Sequence, residues 1–134
     1  MALSNDFELA ILSIVISALA SGLLGVYISS WYHKRSEIRR EKFRILRQLL
    51  GNRNDLKGDA FTEAFNVVFV VFHDSLEVKE AVRHVHEAIV GNRGTELVNQ
   101  GLLELFKAMC KNLGIKTEPL NDTYFLQAYN VRTT

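Results

Sequence analysis

The side chains best suited to chemistry in this chain are four histidines and one cysteine, and their spacing forms no recognisable site. His84 and His86 lie two residues apart, so on a helix they point in nearly opposite directions and cannot share a metal ion. Cys110 follows Met109 in an apolar stretch, where a thiol without a neighbouring base is typical of a small buried hydrophobe. We therefore expect no metal site, no cofactor and no catalytic residue.

The sequence also lacks the common catalytic motifs. It contains no Gly-rich phosphate loop, no His-Glu-x-x-His pair and no Gly-x-Ser-x-Gly elbow. Arg83 and His86 lie too close together for the Arg-to-His motif of small helical ribonucleases. The carboxylates Asp59 and Glu63 are spaced like ordinary exposed charges on a helix surface. The sequence therefore predicts a protein without enzymatic activity.

The element that dominates the chain is an apolar stretch from Leu9 to Ile28, which contains no charge and no proline. Its twenty residues match the thickness of a bilayer core. A chain of 134 residues has too little other protein to cover such a helix on all sides. The segment before it carries only the acids Asp6 and Glu8, whereas a signal peptide begins with basic residues. The sequence predicts a transmembrane helix over 9–32 after a short N-terminal segment, 1–8.

A basic segment at 33–53 follows the span and contains eight Lys or Arg residues against two Glu. By the positive-inside rule, the N-terminus lies outside and residues 54–134 form a cytoplasmic domain. The single cysteine agrees with a reducing compartment. The net charge of +1 therefore hides a strongly basic segment between an acidic N-terminus and a slightly acidic domain.

The cations of this segment are expected to contact anionic lipid headgroups or an anionic partner. If the helix continues upright, Arg47 lies about 20 Å beyond Lys34, so only the first cations reach the lipid. The alternative is a solvated helix face whose cations pair with Glu37 and Glu41. The predicted contact residues are Lys34, Arg35, Arg39, Arg40, Lys42, Arg44 and Arg47.

Small residues recur every four positions within the span, which keeps them on one slowly drifting helix face. Such a face lets two membrane helices approach closely and form hydrogen bonds between hydroxyl groups. We expect a helix–helix interface with another copy or with another membrane protein. The alternative is that the serines bond back to their own helix carbonyls. The ladder consists of Ser13, Ser17, Ser21, Gly25 and Ser29, with Ala18 and Gly22 beside it.

The fold class predicted is all-α, with the span continuing into a long basic helix and a bundle of three or four helices packed on it. The long helix should run from Phe7 to Leu50 and stop at Gly51 and Asn52. Asp59 should cap the next helix, although its β-branched run over 67–72 also fits an inner strand.

The remaining helix boundaries follow from capping residues. Asp74 or Ser75 opens one helix that ends at Gly91, and Thr95 opens another that ends at Gly114. Asn121 or Asp122 caps a short helix, and Val131–Thr134 should fray. The residues expected to face the core are Ile38, Phe43, Ile45, Leu46, Leu49, Leu50, Phe61, Ala64, Phe65, Val68, Phe69, Phe72, Val78, Val82, Val85, Ile89, Leu97, Leu102, Leu105, Phe106, Met109 and Leu113.

The order of these segments resembles an uncharacterised family of small bacterial single-pass membrane proteins with a helical domain of unknown function. The resemblance covers residues 8–115 and rests on three stretches, SSWYHKRSEIRREKFRILRQLLGNR, AFTEAFNVVFVVFHDSLEV and LLELFKAMCKNLGI. It implies a bacterial inner membrane and supplies no catalytic residues.

These features favour a membrane-anchored, self-associating module that binds a partner and acts as a scaffold or in signal coupling. An alternative is an effector of a bacterial defence system, in which Ser13, Ser17 and Ser21 line a pore made by several spans. A weaker alternative is a receptor for nucleic acid or a nucleotide, because several copies of the basic segment would attract anions.

Overall fold

The structure, a computed structural model, describes residues 2–127, and that range is helical with no strand, which confirms the all-α fold class. The predicted fraying of Val131–Thr134 lies outside the described residues. The chain divides into two units, Met1–Glu37 and Ile38–Thr134. The helices are α1 (Ala2–Gly51), α2 (Asp59–Val71), α3 (Leu76–Val90), α4 (Thr95–Asn112) and α5 (Asp122–Leu126).

The first unit contains the N-terminal part of α1, which begins at Ala2, earlier than the predicted Phe7. The most apolar stretch of this helix has no residue that is buried within the protein. Large apolar side chains such as Leu19 and Leu23 are 63% and 72% exposed. Near its N-terminus the chain therefore has a helix that is long and apolar enough to cross a membrane.

The second unit is a bundle in which residues 38–51 of α1 pack with α2, α3, α4 and α5. Ile45, Leu46 and Leu49 recur at helical spacing and are at most 3% exposed, so one face of α1 lies against the other helices. The core consists of Ile45, Leu46, Leu49, Phe61, Ala64, Val68, Phe72, Val78, Ala81, Val85, Leu102, Leu105, Phe106, Ala108, Met109, Cys110, Leu113 and Phe125.

Some residues predicted to face the core are instead exposed: Ile38, Phe69, Ile89 and Leu97. Phe69 directly follows the buried Val68, and one residue turns the side chain by about 100° around the helix. Ile89 lies in the last turn of α3 and Leu97 in the first turn of α4, where fewer neighbours cover a side chain. Apolar periodicity therefore located the buried faces but not their edges.

The helix α2 includes the β-branched run over 67–72 up to Val71, so the alternative of an inner strand is wrong. Two predicted caps are confirmed by hydrogen bonds. The Val78 amide donates to Ser75 Oγ at 3.2 Å, and the Tyr124 amide donates to Asn121 Oδ1 at 3.1 Å. Both side chains satisfy amides that the first helical turn leaves without a partner.

Two other predicted caps are wrong by one residue, because a glycine takes the capping position. Gly58 precedes α2 and Gly94 precedes α4, so Asp59 and Thr95 are the first residues inside these helices. Gly94 has a φ of 94°, a conformation that favours glycine. At the other end of that loop the left-handed residue is Asn92, with a φ of 47°.

The helices α3 and α4 approach each other closely at Gly101. A Cβ atom at this position would lie 2.9 Å from Val85 Cγ2 and 3.2 Å from the Val85 backbone nitrogen. Because real Cβ contacts are longer than this, any side chain at position 101 would push the two helices apart. Glycine therefore sets the spacing of this helix pair.

Candidate functional site

The small-residue ladder of the span lies on the exposed part of α1. All of its members are exposed: Ser13, Ser17, Ala18, Ser21, Gly22, Gly25 and Ser29. No atom from another part of the chain lies within 4 Å of a Cβ built at Gly22 or Gly25. The ladder is therefore open to a second helix, and its role as an interface stays a prediction.

An aromatic and basic group follows the apolar stretch on the same unit. Trp31 and Tyr32 are 55% and 69% exposed, and the Arg35 guanidinium lies 5.2 Å from the centre of the Trp31 ring. Lys34 is also exposed. Aromatic rings next to cations are typical of the headgroup region of a bilayer.

Lys42 is the one buried charged side chain among the described residues, and it is 6% exposed. Its Nζ donates to Asp74 Oδ1 at 2.8 Å, to Asp74 Oδ2 at 2.7 Å and to Asn112 Oδ1 at 2.9 Å. It also lies 5.3 Å from the centre of the Phe72 ring. The prediction that Lys42 contacts headgroups or an anionic partner is therefore wrong, because the bundle itself supplies its anion.

Arg39 is the second cation on α1 that makes its contacts within the bundle. Its Nη2 donates to the backbone oxygen of Leu113 at 2.9 Å, and its guanidinium lies 5.2 Å from the centre of the Phe43 ring. Leu113 closes the C-terminal end of α4, where the helix dipole is negative. Arg39 and Lys42 thus bind α1 to the same end of α4.

The pair formed by Lys42 and Asp74 changes the acidity of the carboxyl group. The hydrogen bond from the Lys42 ammonium lowers the pKa of Asp74 below its ordinary value of 3.8. The positive charge of Lys42 acts in the same direction, whereas partial burial of the carboxyl group opposes it. Asp74 is therefore a carboxylate at neutral pH.

The other three cations of the bundle part of α1 lie away from the core. Arg40, Arg44 and Arg47 are exposed and follow each other at spacings of four and three residues, so they share one helix face. We call them the basic face of α1. Arg44 pairs with Glu41, and this contact lowers the pKa of the Glu41 carboxyl. No ion pair involves Arg40 or Arg47 within residues 2–127.

Sequence reasoning missed the two partners of Lys42. The sequence predicts Asp74 only as an alternative to Ser75 at the start of a helix, and it predicts no role for Asn112. They lie 32 and 70 residues from Lys42 along the chain, so no local pattern links them. Only the packing of α1 against both the α2–α3 loop and the end of α4 brings these side chains together.

Residues with catalytic potential do not converge in the described part of the chain. His84 Nδ1 lies 3.0 Å from Glu104 Oε2 beside a shallow surface cavity of about 250 Å³ between α3 and α4. No group of three His, Cys, Asp or Glu side chains within 2–127 could hold a metal ion. Cys110 is 3% exposed, and burial raises the pKa of its thiol, which disfavours the reactive thiolate.

Comparison with known proteins gives a family match. No curated protein and no solved structure matched the chain. A family model described as a family of unknown function, DUF6680, matches residues 4–131. The match confirms the resemblance to an uncharacterised family and extends it beyond residues 8–115. The chain therefore belongs to the family of unknown function DUF6680.

Proposed function

We propose that the protein is a single-pass membrane module without catalytic activity, which self-associates through α1 and presents its helical bundle to a partner. The observation that carries this proposal is that no residue in the apolar stretch of α1 is buried within the protein. Water is a poor solvent for an apolar surface of this length, and a bilayer core of about 30 Å matches it.

The proposed location is a bacterial inner membrane, with the N-terminus outside and the bundle in the cytoplasm. The charge distribution supports this orientation, because the first Lys or Arg of the chain is Lys34, after the apolar stretch. Lys34 and Arg35 are exposed beside Trp31, so both can reach anionic headgroups. The resemblance to bacterial membrane proteins supports the compartment.

Membrane insertion and orientation are tested together on the full chain. We expect the protein to remain in the membrane fraction after carbonate extraction. A fluorescent reporter fused to the C-terminus should be active, whereas an alkaline phosphatase fusion at the same place should be inactive. Recovery of the chain in the soluble fraction, or an active phosphatase fusion, would contradict the proposal.

Self-association through the ladder is proposed because small residues allow close packing of two membrane helices. Each hydrogen bond between such helices contributes about 0.6 kcal/mol, so several in register are needed. Ser17, Ser21 and Gly25 are the central members of the ladder and are exposed.

The ladder is tested by light scattering on the detergent-solubilised full chain. Replacing Ser17, Ser21 and Gly25 by Leu should shift the parent oligomer toward the monomer. Leu12→Ile with Leu23→Ile, on the opposite face of the helix, should leave the oligomer unchanged. A monomeric parent, or an oligomer that survives the ladder substitutions, would refute self-association through this face.

A further inference from the structure

A second exposed face of the bundle carries charge opposite to that of the basic face of α1. Asp59 and Glu63 lie one turn apart on α2, so their carboxylates share a side of the helix. Both are exposed, and neither takes part in an ion pair within the described range. The structure thus contains exposed, uncompensated acids as well as exposed, uncompensated arginines.

Nearer the C-terminal end of α2, apolar side chains lie on the same exposed face as Asp59 and Glu63. Val67 and Val70 are 39% and 57% exposed. Single exposed valines are ordinary, but α2 is apolar around most of its circumference, and such helices are usually covered on more than one side. We call Asp59, Glu63, Val67 and Val70 the outer face of α2.

Two contacts show which residues of α2 lie beside which residues of α1 along the axis of α1. We call this position along the axis the level of a residue. Gln48 Nε2 donates to the Ala60 oxygen at 2.8 Å, and Lys42 Nζ lies 5.3 Å from the centre of the Phe72 ring. The start of α2 is therefore beside the end of α1, and α2 runs back along α1. Glu63 lies level with the part of α1 that carries Arg44 and Arg47.

We infer that the basic face of α1 in one copy of this chain binds the outer face of α2 in the next copy. Rotation about an axis along α1 leaves the level of each residue unchanged, so the arginines of one copy meet the acids of its neighbour. Val67 and Val70 then pack under the aliphatic stems of Arg40 and Arg44. This inference rests on the proposed self-association and adds to it a contact between bundles.

The contact is heterologous, because each copy uses α1 toward one neighbour and α2 toward the other. Contacts of this type close into a ring or continue as a filament. A symmetric contact of α1 against α1 would instead bring the arginines of two copies together, and like charges repel. The pair between Arg44 and Glu41 does not block the contact, because it is exposed and local.

The contact is tested by crosslinking two different full-length chains in one membrane. Both chains carry Cys110→Ala, which removes the native thiol. One also carries Arg40→Cys and the other Val70→Cys, at nearby levels of the two faces. Mild oxidation of co-expressed chains should give a disulfide-linked dimer, whereas either chain alone should give little.

Charge reversal shows whether the opposite charges hold the contact. Arg44→Glu with Arg47→Glu in both chains should lower the dimer yield about tenfold, because acids then face acids. Asp59→Lys with Glu63→Lys should do the same. Combining both sets in each chain should restore the yield, since the charges are then exchanged. Asp59→Lys also opposes the dipole of α2, but the combined variant keeps that change, so its recovery excludes misfolding as the cause.

The outcomes separate this inference from the proposed function. If the parent is oligomeric and charge reversal leaves the yield of disulfide-linked dimer unchanged, the inference is overturned, whereas self-association through the span stays intact. Equal crosslinking by the Arg40→Cys chain alone also overturns it, because that result requires α1 against α1. A chain that is monomeric in detergent and gives no crosslink overturns both.

Discussion

The two parts of α1 share one secondary structure but differ in how their apolar residues are distributed and buried. From Leu3 to Glu37 the helix has no buried face, and its apolar residues are distributed around the whole circumference. From Ile38 to Gly51 the helix has one apolar stripe, with Leu49 fully buried and Arg47 exposed on the other side. The first pattern suits a medium that is apolar in all directions, and the second suits a protein neighbour on one side.

This difference teaches that hydropathy and periodicity specify different surroundings. Outside the small-residue ladder, a uniformly apolar helix needs no particular neighbour, so its residues can be exchanged for other apolar residues at little cost. A helix with one apolar face depends on specific contacts, such as those of Leu49 and Lys42. Substitutions in the first part should therefore impair membrane insertion, whereas substitutions in the second part should destabilise the bundle.

The largest expected effect comes from placing charges in the apolar part. Ile16→Arg with Leu19→Arg should prevent membrane insertion, because each Arg near the centre of a span costs about 2.5–3.5 kcal/mol. The measurement is the fraction of the chain that resists carbonate extraction. Ile16→Val with Leu19→Val is the matched control and should insert normally.

A matched leucine pair compares the two parts within one helix. Leu49 is fully buried and Leu24 is 61% exposed. Leu49→Ala should destabilise the bundle by about 2–5 kcal/mol, because it leaves a cavity in the core, whereas Leu24→Ala should leave bundle stability unchanged. Labelling of the buried Cys110 thiol in increasing urea reports unfolding of the bundle in the detergent-solubilised chain. Equal labelling curves for the two variants would contradict the comparison.

Substitution of Lys42 tests whether its contacts with Asp74 and Asn112 stabilise the bundle. Lys42→Met keeps most of the side-chain volume but removes the donor to Asp74 and Asn112, so we expect a loss of about 1.5–3 kcal/mol. The same thiol labelling measures it. Lys79→Met is the control, since Lys79 is exposed and has no ion pair within 2–127. A stability of Lys42→Met equal to that of the parent would show that desolvation cancels the gain from the pair.

Glycines offer the next comparison. Gly101→Ala should cost about 1–3 kcal/mol, since its Cβ would press on Val85 and separate α3 from α4. Gly22→Ala in the apolar part meets no other part of the chain and should leave bundle stability unchanged. A Gly101→Ala variant as stable as the parent would mean that α3 and α4 shift at no cost.

The smallest effect concerns pH. Because the pKa of Asp74 is lowered in the folded protein, the stability that its pair provides is fully present above pH 3.8. It is lost as the pH falls through the lowered pKa, where the native carboxylate takes up a proton. Asp74→Asn should therefore be less stable than the parent at neutral pH and lose less stability on acidification. Asp55→Asn, at an exposed position, should keep the parent profile.

The sequence predicts much of the fold because its signals are local. Each helix is marked by apolar spacing, and Ser75 and Asn121 mark two helix starts through capping chemistry. The exposure of Phe69 and the burial of Lys42 depend instead on how distant helices pack. Of the candidate cations, Lys42 was therefore misassigned, although its location on α1 was predicted correctly.

The distance between Lys42 and Asn112 also has a consequence during synthesis. The ribosome makes α1 first, and Asn112 is added 70 residues after Lys42. At about 5–20 residues per second, this interval lasts roughly 4–14 s. Throughout it α4 is incomplete, so the apolar stripe of α1 lacks one of the helices that later cover it. The nascent chain is therefore most open to wrong pairing, with chaperones or with other nascent copies, before α4 is complete.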